Sequence, residues 1–245
     1  MILMTRRKAL ALALIAATML AGPCAVAQDS RLGYYAPPAV DSMRPVAAKH
    51  GMVVAQEKIA AQIGRDVLAR GGNAVDAAVA TGFAMAVTYP RAGNLGGGGF
   101  MMIHLANSSE NIAVDYRESA PAAATRDMFL GEDGKPDAKK SRDQALGIGV
   151  PGTVAGLALA LEKYGSGKFK LADLIAPAIG LARDGFVIAD DIADTLPELY
   201  QRLKAWPSSM KVFSRPDGTP LQGGDRLMQR DLAATLEAIA AQGAN

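Results

Sequence analysis

An alanine-rich segment between residues 73 and 90 constrains the fold of this chain more than any other part of its sequence. Asn73 can cap a helix, and a carboxylate at Asp76, three residues later, favours the same helix start. Tyr89-Pro90 ends the segment, because the residue before a proline avoids the helical conformation. The small residues inside it are Ala74, Ala77, Ala78, Ala80, Ala84 and Ala86. Small side chains let a neighbour approach closely, so we predict a helix that lies deep in the fold.

The pattern around this segment predicts a helix-rich α+β chain. Apolar residues at helical spacing predict a helix from Gln56 to Arg70. The run Phe100–Leu105 is typical of a buried strand, with Asn111–Tyr116 as its partner across a turn at 107–110. The charged stretch 131–145 is typical of a surface loop. Further helices are predicted at about 152–164, 171–184, 190–204 and 229–242.

The first 27 residues have the pattern of a secretory signal peptide. A basic cluster at residues 6–8 is followed by the uncharged apolar run Ala9–Ala21 and then by Ala25-Val26-Ala27, which offers a cleavage site. The apolar run has 13 residues, whereas a membrane-spanning helix needs about 20. We therefore predict export to the bacterial periplasm or the medium, with cleavage after Ala27. Residues 28–46 are predicted to form an extended lead-in.

Removal of this segment changes what the composition implies. The formal net charge falls from +2 to −1, because Arg6, Arg7 and Lys8 leave with it. A nearly neutral exported protein gives no electrostatic argument for binding nucleic acid or an anionic membrane. Cys24, the only cysteine, leaves as well. The mature chain therefore offers no disulfide, thiol nucleophile or thiolate metal ligand.

The glycine-rich segment Arg91–Gly99 is the obvious candidate for a phosphate-binding loop, and it fails that test. A phosphate loop needs the spacing Gly-x-x-x-x-Gly-Lys-Ser/Thr, whereas Gly93 and Gly98 are followed by Gly99-Phe100. Phosphate loops also run from a strand into a helix, and here a helix precedes the glycines and a strand follows them. We predict instead a turn in which backbones pack closely.

Candidate metal ligands and nucleophiles are few. His50 and His104 are the only histidines, and they fall in different predicted elements. Thr153 stands at a helix start, where capping or first-turn packing is its expected role. The acidic residues that one helix face could gather, and that are more typical of solvated caps, are Asp190, Asp191 and Asp194. We predict no metal and no cofactor, and no Ser-His-Asp triad unless His50 or His104 takes part.

Arg117 is the best single candidate for binding a substrate. It follows a strand that we predict to be buried, and strand ends hold side chains rigidly. A guanidinium there could grip a carboxylate with two parallel hydrogen bonds. The alternative is an ordinary ion pair with Asp115 or Glu118, and residue chemistry alone favours that alternative.

Five ordered segments resemble the large subunit of γ-glutamyltranspeptidases. They are Gly71–Ala80, Gly93–Met101, Asp115–Pro121, Pro151–Gly156 and Ala182–Phe186. Because their order is kept over residues 47–245, the resemblance is specific, and it identifies this region as the front part of a large subunit. It implies an α+β fold of the N-terminal-nucleophile hydrolase type, an αββα four-layer sandwich that is incomplete in this chain. It also implies a precursor that cleaves itself into a large and a small subunit.

The same resemblance implies an activity. Such an enzyme transfers the γ-glutamyl group of glutathione, or of another γ-glutamyl compound, to water or an amino acid. The hydroxyl of a threonine that begins the small subunit attacks the γ-glutamyl amide, and its own α-amine helps remove the proton. The arginine that matches Arg117 binds the α-carboxylate of the donor.

The family's nucleophilic threonine lies beyond a large subunit of ordinary size, and this sequence stops at Asn245. We therefore expect no catalytic residue in this chain, no activity of the chain alone, and a C-terminal part or small subunit as its partner. Two alternatives stay open. A cephalosporin acylase shares the family and would keep Arg117 as a carboxylate ligand. An exported module that binds γ-glutamyl compounds or glutamate without chemistry would keep it too.

Overall fold

The computed structural model describes residues 46–244. The predicted signal peptide and lead-in lie outside these residues, except for position 46. The helices and strands described below belong to one compact unit, residues 48–245. Within residues 46–244, no helix combines the length and the apolar character that a membrane span requires.

The described part of the chain forms a helix-rich α+β structure, as the sequence predicts. Its helices are α1 (Lys58–Ala69), α2 (Ala74–Thr88), α3 (Ala138–Arg142), α4 (Thr153–Tyr164), α5 (Leu171–Asp184), α6 (Asp190–Ala193), α7 (Leu196–Leu203), α8 (Pro207–Phe213) and α9 (Arg230–Gln242). Its strands are β1 (Phe100–Leu105), β2 (Glu110–Asp115), β3 (Phe186–Val187) and β4 (Arg226–Leu227). Two antiparallel pairs result: β1 with β2, in which Phe100 lies opposite Asp115, and β3 with β4.

Helix α2 forms the centre of the described core, which confirms the prediction from its alanines. It packs against α1, α4 and α5, and α9 packs on α5. Val79, Phe83 and Val87 are fully buried along α2. Burial of a side chain the size of Phe83 stabilises a fold by about 1.5–3 kcal/mol. The end of α2 is fixed by Gln229, whose side-chain amide donates a 2.8 Å hydrogen bond to the carbonyl of Val87.

Partly buried hydrogen bonds connect the start of α2 to the end of α4. Asn73 caps α2 by accepting from the amides of Val75 and Asp76, at 2.9 and 3.0 Å. The Asp76 carboxylate accepts in return from the Asn73 amide at 2.8 Å and from the Ser166 amide at 3.2 Å. The Asn73 side-chain amide donates to the carbonyl of Tyr164 at 2.7 Å. Asp76 is therefore a fully buried carboxylate that backbone amides of two parts of the chain satisfy.

The hairpin of β1 and β2 is buried on one face only, which corrects the prediction of a buried strand. Its inner face contributes Ile103 and Val114 to the core. On the opposite face, the outer face, Phe100 is 63% exposed and Met102 is 71% exposed. A strand that is apolar on both faces needs a cover on each, and among residues 46–244 the two outer-face side chains remain mostly exposed.

Several element boundaries differ from the predicted ones. The single helix predicted over 190–204 is broken into α6 and α7, because Pro197 in the first turn of α7 lacks the amide that would continue α6. The predicted surface loop 131–145 contains the short helix α3, which has no buried residue. Helix α8 and the two-residue strands β3 and β4 were missed, since such short elements carry too few residues for a periodic pattern.

The outer face leads to a prediction about the isolated chain. Residues 28–245, produced alone, should self-associate, because Phe100 and Met102 expose apolar surface beside an open hairpin edge. Replacing both with serine should raise the monomer fraction in analytical ultracentrifugation. The matched control is Val187→Ser, which removes a side chain that is 52% exposed in another sheet and should leave association unchanged. A parent chain that is already monomeric would contradict this prediction.

Candidate functional site

Arg117 lies on the surface, two residues beyond the end of β2. Its side chain is exposed and, within residues 46–244, forms no ion pair. The Asp115 carboxylate accepts a hydrogen bond from the Arg117 backbone amide, at 3.0 Å, and leaves the guanidinium free. The alternative interpretation, an ion pair with Asp115 or Glu118, is therefore wrong for this structure. In the described part of the chain, the guanidinium remains available to a ligand.

The backbone is held on both sides of Arg117. Before it, Gly99 and Tyr116 exchange two backbone hydrogen bonds, at 3.0 and 3.3 Å, which extend the β1–β2 ladder by one pair. After it, Ser119 and Val150 exchange another two, at 2.8 and 3.3 Å. Arg117 thus belongs to a short stretch, residues 116–119, whose two ends are fixed by separate parts of the chain. We call this stretch the arginine segment.

A further connection joins the glycine run, residues 96–99, to the start of α4. The carbonyl oxygen of Gly97 accepts from the amides of Gly152 and Thr153, at 2.8 and 3.0 Å. The predicted capping role of Thr153 is wrong, because Gly152 occupies the N-cap position and no described side chain caps α4. Thr153 is half-buried in the first turn of α4, which agrees with the other predicted role, packing.

Three glycines around the arginine segment have no room for a side chain. A Cβ at Gly98, Gly152 or Gly156 would overlap atoms of Tyr116. At Gly98 and Gly152 the atom is the Tyr116 carbonyl oxygen, and at Gly156 the atoms belong to the base of the Tyr116 side chain. The predicted turn with closely packed backbones is thereby confirmed. Sequence reasoning missed that the residue packed against these glycines is the neighbour of Arg117.

Tyr116 also lines an apolar groove of about 470 Å³ beside the hairpin, together with Met85, Met102 and Leu157. Burial raises the pKa of the Tyr116 phenol above its ordinary value, so the hydroxyl stays neutral at physiological pH. Arg117 lines neither this groove nor the two other cavities described, which lie among residues 208–232. The described residues therefore present the guanidinium to solvent.

The two histidines considered as metal ligands are not brought together. His50 and His104 are exposed and lie in separate parts of the structure, and Nδ1 of His104 is 3.0 Å from Oδ1 of Asn111. The acidic positions 190–194 belong to α6 and the turn after it. Across the described residues, no group of three or more His, Cys, Asp or Glu side chains could hold a metal ion.

The fold defines the class of protein. Solved structures that resemble this chain are N-terminal-nucleophile hydrolases, and the described residues supply a helix-rich α+β part of that αββα fold. One of these structures is the γ-glutamyltranspeptidase of Helicobacter pylori. It superimposes with a TM-score of 0.77 at 48% sequence identity, over 82% of this chain and 56% of the other.

Residues 60–245 match the gamma-glutamyltranspeptidase family, and the chain belongs to it. The glutathione hydrolase proenzyme of Escherichia coli is 51% identical over 203 residues, which make up 83% of this chain and 34% of that protein. The acylase ACY 1 proenzyme of Pseudomonas sp. (strain V22) is 37% identical over 206 residues, 82% of this chain and 36% of that protein. The chain thus spans about a third of the length of these relatives. The resemblance carried by the five ordered segments is confirmed.

Proposed function

We propose that this chain is the part of a γ-glutamyltransferase, or glutathione hydrolase, that binds the α-carboxylate of the donor. The donor is glutathione or another γ-glutamyl compound, and water or an amino acid accepts the γ-glutamyl group. Arg117 is the substrate-binding residue. The nucleophile comes from polypeptide outside these 245 residues, so no residue of this chain is assigned to the chemical step.

The observation that carries this proposal is the free guanidinium of Arg117 on a fixed backbone, in a chain of this family. A planar guanidinium places two parallel N–H groups against the two oxygens of a carboxylate. A hydrogen bond to a charged group contributes about 1.5–3 kcal/mol. In a γ-glutamyl donor the α-carboxylate and the scissile amide belong to one short chain. Binding the α-carboxylate therefore also positions the amide for attack.

Arg117 takes no part in the bond changes of the proposed reaction. A threonine hydroxyl attacks the γ-carbonyl carbon, an ester of the γ-glutamyl group forms, and the donor's amine leaves with the proton. Water or an amino group then attacks the ester, which releases glutamate or a new γ-glutamyl amide and returns the hydroxyl. Arg117 would hold the γ-glutamyl group through both steps.

The proposed partner of this chain is the C-terminal part, or small subunit, of the same kind of enzyme. The relatives are about three times as long as the segment that they share with this chain. The outer face of the hairpin, with Phe100 and Met102, offers apolar surface for such a partner to cover.

The proposed enzyme is exported. The basic cluster 6–8, the apolar run Ala9–Ala21 and the Ala25-Val26-Ala27 motif support a signal peptide, and the mature chain would begin at Gln28. Its nearly neutral charge gives it no electrostatic attraction to nucleic acid or to an anionic membrane.

The test joins this chain to the C-terminal part of the Escherichia coli glutathione hydrolase proenzyme, from the end of its matched segment onward. We call the product the completed enzyme. It should be exported, begin at Gln28 by mass spectrometry, cleave itself and release nitroaniline from γ-glutamyl nitroanilide. The 245-residue chain alone should release none. Turnover by the purified chain alone, or a completed enzyme that cleaves itself without turnover, would contradict the proposal.

An amidase of the acylase kind is a second candidate, which the match to the acylase ACY 1 proenzyme favours. Arg117 would bind a carboxylate in either enzyme, so it does not separate them. The identity to the glutathione hydrolase proenzyme is higher, 51% against 37%, and supports the first candidate. A completed enzyme with a higher kcat/KM for a cephalosporin side-chain amide than for γ-glutamyl nitroanilide would reverse this order.

A further inference from the structure

We infer that Gly98 is a positioning residue for the donor. The absence of a side chain at Gly98 lets the glycine run hold the backbone of Arg117 at the place from which the guanidinium meets the α-carboxylate. The inference rests on the proposed function, and it concerns how the site is built rather than which residue binds.

Gly98 lies against the backbone of Arg117 itself. A Cβ at position 98 would be 2.8 Å from the Arg117 Cα and 2.8 Å from the amide nitrogen of Glu118. It would also overlap the carbonyl oxygen of Tyr116. All three are backbone atoms, which cannot rotate aside as the end of a flexible side chain can. Alanine at position 98 must therefore displace either the arginine segment or the glycine run.

The arginine segment is also confined on a second side. Gly152 and Gly156 lie against Tyr116 so closely that neither leaves room for a Cβ. A Cβ at Gly149 would be 3.0 Å from the Cβ of Glu118. The segment is thus packed between the glycine run and residues 149–156. The glycine run is held as well, because the Gly97 carbonyl accepts from the amides of Gly152 and Thr153. Since neither side can yield freely, we expect a methyl group at position 98 to shift the backbone of Arg117, and a small backbone shift grows along its long side chain.

Three positions of the glycine run differ in how much room they leave for a side chain, so alanine substitutions there should have graded effects. Among the described residues, nothing lies within 4 Å of a Cβ at Gly96. A Cβ at Gly99 would meet the ring of Tyr116, at 3.0–3.1 Å, so that the ring must yield slightly. A Cβ at Gly98 meets backbone. The effect on donor binding should therefore rise in the order Gly96, Gly99, Gly98, although each substitution adds the same methyl group.

The experiment compares two donors with the completed enzyme: γ-glutamyl nitroanilide and the analogue whose α-carboxylate is a carboxamide. The ratio of kcat/KM between them measures how well the α-carboxylate is recognised. Gly98→Ala should raise KM for the carboxylate donor about 10- to 100-fold, with a smaller change in kcat, and bring the ratio towards one. Gly96→Ala should match the parent, and Gly99→Ala should lie between. A merely structural defect would affect both donors equally and leave the ratio unchanged.

The outcomes separate this inference from the proposed function. If Arg117→Ala keeps the parental ratio, the proposed function fails, whatever Gly98→Ala does. If the ratio falls to about one in Arg117→Ala while a folded Gly98→Ala keeps the parental ratio, the inference alone is overturned. If Gly98→Ala does not fold, Gly99→Ala decides, and a parental ratio there overturns the inference. The double variant, with alanine at both Arg117 and Gly98, should have the same ratio as Arg117→Ala.

Discussion

Replacing Arg117 with alanine is expected to raise the KM of the completed enzyme for γ-glutamyl nitroanilide about 10- to 100-fold. The substitution removes charge-assisted hydrogen bonds to the α-carboxylate, worth about 1.5–3 kcal/mol, and each 1.4 kcal/mol or so is a tenfold change. The side chain is exposed and free of ion pairs in the described structure, so the loss falls on donor binding rather than on the fold. Initial rates over a range of donor concentrations measure KM, and the Tm of the same sample should equal that of the parent.

Two further variants sharpen this result. Arg117→Lys keeps the positive charge and loses the planar pair of N–H groups, so its KM should lie between those of the parent and of Arg117→Ala. Arg126→Ala removes another exposed arginine, 3.7 Å from the Asp127 carboxylate, and should leave KM unchanged. A parental KM in Arg117→Ala would remove Arg117 from the proposed site.

Replacing Asp76 with alanine is expected to lower the Tm of the completed enzyme by about 2–6 °C. The Asp76 side chain is fully buried, and its loss leaves the amides of Asn73 and Ser166 without their acceptor. Both hydrogen bonds are partly buried, and an amide left without a partner away from water costs about 1–3 kcal/mol. Because the entropy of unfolding grows with chain length, each kcal/mol shifts the Tm of a chain about three times as long as this segment by roughly 1 °C. Thermal unfolding followed by circular dichroism measures the shift.

The matched control is Asp173→Ala. Asp173 occupies the same position in the cap of α5 and accepts from the Lys170 amide at 2.8 Å, but it is exposed. Water can replace the lost acceptor there, so the cost should be about 1 kcal/mol or less. Equal Tm decreases for Asp76→Ala and Asp173→Ala would show that burial of the Asp76 carboxylate does not set its contribution.

The helical part of the fold could be predicted from the sequence because its causes are local. The alanines, the Asn73 cap and Tyr89-Pro90 lie within one segment, and the structure places helix and caps there. The break between α6 and α7 was missed, since Pro197 sits at a position that a helix start tolerates. The exposure of Phe100 and Met102 could not be predicted, because burial of a strand face depends on what another layer supplies.

The candidate site, too, could be predicted from the sequence only where its causes are local. Arg117 could be proposed from its place after a strand and from the segment Asp115–Pro121. The environment that holds it could not, because it depends on contacts between residues far apart in sequence, such as Gly98 and Gly156 with Tyr116. A glycine that is needed for close packing looks, in sequence, like any other glycine. The one available signal was that Gly93–Met101, Asp115–Pro121 and Pro151–Gly156 all belong to the resemblance.

A crystal structure of the completed enzyme with bound glutamate tests the central claim most directly. We predict two N–H groups of the Arg117 guanidinium at about 2.7–2.9 Å from the two oxygens of the α-carboxylate. The arginine segment should still lie between the glycine run and residues 149–156, as in the present structure. Glutamate bound with its α-carboxylate on other residues, and Arg117 still directed into solvent, would contradict the account.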